Sequence, residues 1–173
     1  MKFYSGFSLK NEQHFFKELM YESEYTISGF SYGSILALRE ARKELNAGRR
    51  VDRLQLFSPA FFQTKPKKFK RLQLITFAKN RELYLKTFIE SCFLPYSIKS
   101  IEHSESKQDE LEEVLNYEWS SHELRELITK GVVIEVYIGD EDNIIDAKGA
   151  KEFFLEFATV TYIKKANHFL QTN

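Results

Sequence analysis

A serine hydroxyl attacks a carbonyl only when a base takes its proton and a carboxylate orients that base. The chain offers a candidate for each part. Gly29-Phe30-Ser31-Tyr32-Gly33 has the pattern G-x-S-x-G, with a strand-like run (24–28) before it and a helical pattern from about Tyr32 after it. The pentapeptide alone is common, so its flanks give it weight. A serine on a sharp strand-to-helix turn has a strained backbone, and side chains two positions away on either side would collide. A helix N-terminus behind Ser31 favours negative charge near its oxygen.

Four histidines are available as the base: His14, His103, His122 and His168. The first three fall in polar helical segments and read as surface residues. His168 lies in the loop Lys165-Ala166-Asn167-His168, after the last strand-like run. In a parallel sheet the loops after strand C-termini share one edge, which brings Ser31 and His168 together. Gly139-Asp140-Glu141-Asp142-Asn143 reaches the same edge after the fourth strand. Asp140, Glu141 and Asp142 compete there for the orienting role, although Asp140 and Glu141 also suit a turn.

These residues need a scaffold. Strand patterns lie at 3–7, 24–28, 53–57, 131–138 and 158–163, with helical patterns at 12–20 (capped by Asn11), 32–46 (ended by Gly48) and 147–157. Strands alternating with helices imply an α/β domain with a parallel sheet. Alternation such as Tyr25/Ile27 against Thr26/Ser28, and Leu54/Leu56 against Gln55, predicts one buried face and one mixed face. Residues 60–130 are helical in pattern and read as an insertion over the site. They begin basic (Lys65, Lys67, Lys68, Lys70, Arg71, Lys79, Arg81, Lys86) and turn acidic over 102–126.

The 173 residues fit one domain, and 25 basic against 25 acidic residues leave no net charge, which argues against a nucleic-acid binder. No apolar run approaches a membrane span, and Met1–Gly6 has no signal-peptide core. The single cysteine, Cys92, excludes an internal disulfide framework and a cysteine-rich metal site, so a cytoplasmic protein is expected.

The order serine, acid, histidine is that of α/β-hydrolases. Gly139-x-x-Asp142 followed by Asn143-Ile144-Ile145 resembles their acid loop, and Asn167-His168 resembles their histidine loop. The resemblance implies Ser31 as nucleophile, His168 as general base and then acid, and Asp142 as orienter, with Asp140 the runner-up. Ser5-Gly6-Phe7 resembles the His-Gly-aromatic oxyanion loop, with Ser5 replacing the histidine. The implied oxyanion donors are the backbone amides of Phe7 and Tyr32. No cofactor or metal is implied.

FYSGF, SGFSYG, LFSPAF, FKRLQL and NHFLQ together resemble the short BioV-type pimeloyl-[acyl-carrier protein] methyl ester esterases of bacterial biotin synthesis. That family frees pimeloyl-acyl-carrier protein and methanol. Carrier proteins are acidic, so Lys65, Lys67, Lys68, Lys70 and Arg71 would steer one. Phe7, Tyr32, Phe61 and Phe62 are candidates for the acyl channel. The alternatives are a general small-ester or thioester hydrolase and an inactive carrier-binding module.

The resemblance also implies a minimal α/β-hydrolase fold of about five parallel strands, lacking the N-terminal strands and final helix of the full fold, with 60–130 as a helical lid. Crossovers of one hand would leave the second sheet face exposed or lightly covered. Phe57, Val133, Tyr137 and Ile163 keep a homodimer possible there, beside a monomer.

Overall fold

Five strands share one sheet in the computed structural model, which describes residues 1–173. β1 (Lys2–Tyr4), β3 (Thr26–Phe30), β4 (Arg53–Phe57), β6 (Val133–Gly139) and β7 (Thr159–Ile163) lie in sequential order, and every neighbouring pair is parallel. The order follows from short apolar strands joined through helices, which return the chain to the same end each time. A separate two-residue ladder joins β2 (Leu9–Lys10) to β5 (Glu102–His103) in antiparallel register. Nothing in the sequence pattern predicts that ladder, because two residues are too few to show a period.

One face of the sheet presents Ile27, Leu54, Leu56, Ile134, Val136 and Ile138, all buried. Against it pack α1 (Tyr32–Asn46), α5 (Ser121–Thr129) and α6 (Ala147–Phe154) through Ile35, Leu38, Leu124, Leu127 and Phe154. α1 ends at Ala47, and Gly48 turns away at φ 73°, a value that favours glycine.

The opposite face differs from expectation. Thr26, Ser28 and Gln55 are buried on it, not wet. Part of the cover is the chain's own residues 12–21. Phe16 stacks on Phe57 and packs on Phe30. The Gln55 side chain accepts from the Tyr21 amide and donates to the Leu19 carbonyl, so one amide group satisfies an otherwise irregular strap. The end of α3 (Arg81–Phe93) adds Ile89, Cys92 and Phe93 to the same cluster. Val133 is 47% exposed, and Thr159 and Thr161 of β7 are exposed beside it, so this face stays open at that edge.

The strap is also not the helix that its pattern suggests. Only Glu12–Phe16 form a 3₁₀ turn, and Asn11, at φ 61°, makes no capping bond. The reason is that Glu12 and Phe16 are pulled inward by separate partners, so the segment is fixed by burial and not by helical periodicity. The expected helical segment over 60–130 resolves into α2 (Lys67–Lys79), α3, α4 (Gln108–Asn116) and α5. No helix is long and apolar enough to cross a membrane.

Candidate active site

Ser31 sits at the junction of β3 and α1 with φ 52° and ψ −115°, a conformation outside the ordinary regions for a residue with a side chain. The neighbours hold it there. Its amide donates to the Phe57 carbonyl of β4 at 2.9 Å, and its carbonyl accepts from Ser34 and Ala60. The two glycines are required by space: a Cβ on Gly29 would lie 2.1 Å from the Gly33 carbonyl oxygen, and one on Gly33 would lie 1.9 Å from the Tyr4 carbonyl oxygen. β3 therefore runs through Gly29 up to Phe30, two residues further than its sequence pattern suggests.

His168 and Asp142 meet at the same sheet edge. His168 Nδ1 lies 2.6 Å from Asp142 Oδ2, and both side chains are buried. Asp142 Oδ1 accepts from the amides of Ile144 (2.9 Å) and Ile145 (3.3 Å), so both carboxylate oxygens are occupied and the group has one orientation. Asp140 is turned away: it is exposed, and its Oδ1 accepts from the Lys165 amide. His14, His103 and His122 are exposed, as their segments predict.

The His168 loop is held by its neighbour. Asn167 is fully buried, and its Oδ1 accepts from the amides of Phe169 and Gln171, each at 3.0 Å. Its Nδ2 donates to the Phe93 carbonyl at 2.8 Å, tying the loop to the end of α3. The imidazole packs against the Phe30 ring at 4.9 Å between centroids, which places it beside the residue preceding Ser31. His168 Nε2 is buried and has no hydrogen-bond partner.

Ser31 opens into a cavity of about 610 Å³. Phe7 and Phe62 line it, as their positions suggest. Phe61 does not: it is 1% exposed and packs on Phe153 and Phe154 in the core. The residue alternates out of the channel because Phe61 and Phe62, being adjacent, leave the chain in different directions. The Tyr32 side chain also stays outside this cavity, and its hydroxyl donates to Glu113. Burial and that contact with an acid both push the Tyr32 phenol pKa upward, so it stays protonated.

Sequence reasoning misses most of the cavity wall. α2 contributes Phe69, Leu72, Gln73 and Thr76, and α3 contributes Leu83, Tyr84 and Phe88. α4 contributes Leu111, Val114 and Leu115, whose i, i+3, i+4 spacing is the one signal that could have found them. The apolar face of the acidic segment thus forms one of the walls. Lys67, Lys68, Lys70 and Arg71 lie on α2 outside the lining and form no ion pair with any acid in the chain. The amides of Phe7 and Tyr32 donate to no protein acceptor.

No protein-family profile and no curated sequence matches the chain. Solved structures do. BioG from Haemophilus influenzae matches with a TM-score of 0.56 at 10% identity, over 97% of this chain and 87% of that one. An esterase from Exiguobacterium antarcticum matches with 0.56 at 16%, over 97% and 85%. The naproxen esterase of Bacillus subtilis matches with 0.52 at 19%, over 85% and 54%. The chain has an α/β-hydrolase fold. It spans about half the length of the naproxen esterase, with a sheet of five parallel strands.

Proposed function

We propose that the chain is a serine carboxylesterase that hydrolyses the methyl ester of pimeloyl-[acyl-carrier protein] methyl ester, giving pimeloyl-[acyl-carrier protein] and methanol for biotin synthesis. One observation carries the hydrolase reading. At a single sheet edge, a serine in a strained strand-to-helix turn opens into an apolar cavity, next to a buried His168–Asp142 pair whose outer ring nitrogen is unpartnered.

In this reading Ser31 Oγ bonds to the ester carbonyl carbon while its proton passes to His168 Nε2. The carbonyl electrons move to oxygen, where the free amides of Phe7 and Tyr32 donate to it. His168 then gives the proton to the departing methoxide, and methanol leaves. A water repeats the steps on the acyl-enzyme, its proton going to His168 and then to Ser31 Oγ. Asp142 fixes the tautomer, with Nδ1–H toward the carboxylate, and stabilises the imidazolium. Ser31 and His168 share no hydrogen bond, and such contacts commonly tighten only when substrate binds.

The substrate reading rests on the sequence resemblance, on an apolar-lined cavity of about 610 Å³, and on the unpaired cations of α2. An acidic carrier would meet Lys67, Lys68, Lys70 and Arg71 on the outer face of the helix whose inner face lines the cavity. The apolar lining accepts any aliphatic acyl group, which favours a second reading, a general small-ester or thioester hydrolase. An inactive binding module is disfavoured, because a buried unpartnered imidazole nitrogen is costly without a use.

Labelling with a fluorophosphonate tests the hydrolase reading. A single adduct on the peptide containing Ser31, absent from Ser31→Ala, is expected. No adduct on a folded chain contradicts it.

A further inference from the structure

Glu12 is a carboxyl group with no exposed surface, bonded to Gly6 at the start of the Gly6–Leu9 turn, which the Leu9 amide closes on the Gly6 carbonyl. Its Oε1 accepts from the Gly6 amide at 2.7 Å, and its Oε2 is buried with no partner. Burying a carboxyl this way is costly, and burial pushes its pKa up even though the Gly6 amide pulls it down. An apolar side chain would be buried there at less cost, so the acid needs a reason. The bond from the Gly6 amide ties it to that turn.

The rest of the segment is built to return Glu12 to that position. Ser8 and Asn11 take positive φ values of 63° and 61°, reversing the chain twice between Gly6 and Glu12. The β2–β5 ladder pins Leu9 and Lys10, while Ser8 Oγ donates to the Ser104 carbonyl and Ser104 Oγ donates to the Leu9 carbonyl. The outcome is that the Gly6 amide is consumed by Glu12, and the next amide, that of Phe7, is left free beside a side chain that lines the cavity with Ser31.

We propose that Glu12 is a positioning residue for the oxyanion site: by holding the Gly6 amide it fixes the orientation of the Phe7 amide toward the reacting carbonyl oxygen. This rests on the esterase reading above. An amide that must be preset to a charge formed only in the transition state affects kcat and leaves substrate binding alone. Gln retains the carbonyl acceptor and the size of Glu12, so it should serve in its place.

The test is steady-state hydrolysis of p-nitrophenyl butyrate by the parent chain, Glu12→Gln and Glu12→Leu. Glu12→Leu should lose about 10- to 100-fold in kcat with KM little changed, while Glu12→Gln stays within about threefold of the parent. Where Glu12→Leu does not fold, Glu12→Asp carries the same test, since it keeps a carboxyl and draws it one methylene back from Gly6; it should show the same selective loss of kcat. An active parent whose Leu or Asp variant keeps its kcat, or loses only KM, overturns this inference alone. So does equal loss in Gln and Leu. A parent with no esterase activity overturns the esterase reading and this inference with it.

Discussion

The cavity has two walls of opposite character. The α4 wall, and α5 behind it, which lines no part of the cavity, are docked on α1: Arg39 pairs with Glu113, Arg42 with Glu123 and Glu126, and Tyr32 donates to Glu113. Their inward residues Leu111, Val114, Leu115, Leu124 and Leu127 are buried. α2 is the reverse. Of its residues only Phe77 is buried, Leu72 and Ile75 are more than half exposed, and none of its cations is paired. In the acidic block Glu102, Glu113, Glu123 and Glu126 pair with cations elsewhere in the fold, whereas no cation of α2 finds an acid. A zero net charge thus conceals one wall whose acids pair in part within the fold and one whose cations pair with none.

The largest expected effect belongs to neither wall. His168→Ala should lower kcat on the order of 10⁴-fold or more on a free ester and a carrier-bound ester alike. A loss confined to one substrate would show that the site is divided differently. Next comes the free wall. Changing Lys67, Lys68 and Lys70 together to Glu should lower kcat/KM for carrier-bound ester by about 10- to 100-fold, with less than about a twofold change on p-nitrophenyl butyrate. Equal losses on both substrates would remove the distinction between the walls.

The docked wall is probed through stability. Arg42→Ala leaves Glu123 and Glu126 without their partner and should lower the melting temperature by about 2–4 °C, whereas Arg71→Ala on α2 should move it by less than about 1 °C. The smallest effect is one of pH. Glu126 is held below its ordinary value of 4.5 by Lys130 and Arg42, and Glu113 is also lowered, Tyr32 and Arg39 outweighing its burial. Because the folded values are depressed, their stabilisation is present above about pH 4.5 and is lost as pH falls through them. Fluorescence of Trp119, buried between α4 and α5, should shift over that range and hold steady above it.

Much of the site was legible because its parts are local. Gly29–Gly33 must be a strand-to-helix turn, and loops 139–143 and 165–168 follow strands of one parallel sheet, so topology brings them to one edge. What could not be read depends on tertiary partners. The strap over the second sheet face is held by Gln55, more than thirty residues away, and Glu12 is buried by a turn that no helical period describes. Phe61 and Phe62 are chemically identical neighbours, and only their packing assigns one to the core and the other to the cavity. The division of charge was visible as composition, but its meaning came from which carboxylates Arg39 and Arg42 reach.

The most direct test of the central claim is mass spectrometry of methyl pimeloyl-[acyl-carrier protein] before and after incubation with the chain. The account predicts replacement of one methyl by hydrogen with the thioester intact, and no change with Ser31→Ala. An unchanged mass, or loss of the whole acyl group from the carrier, would contradict it.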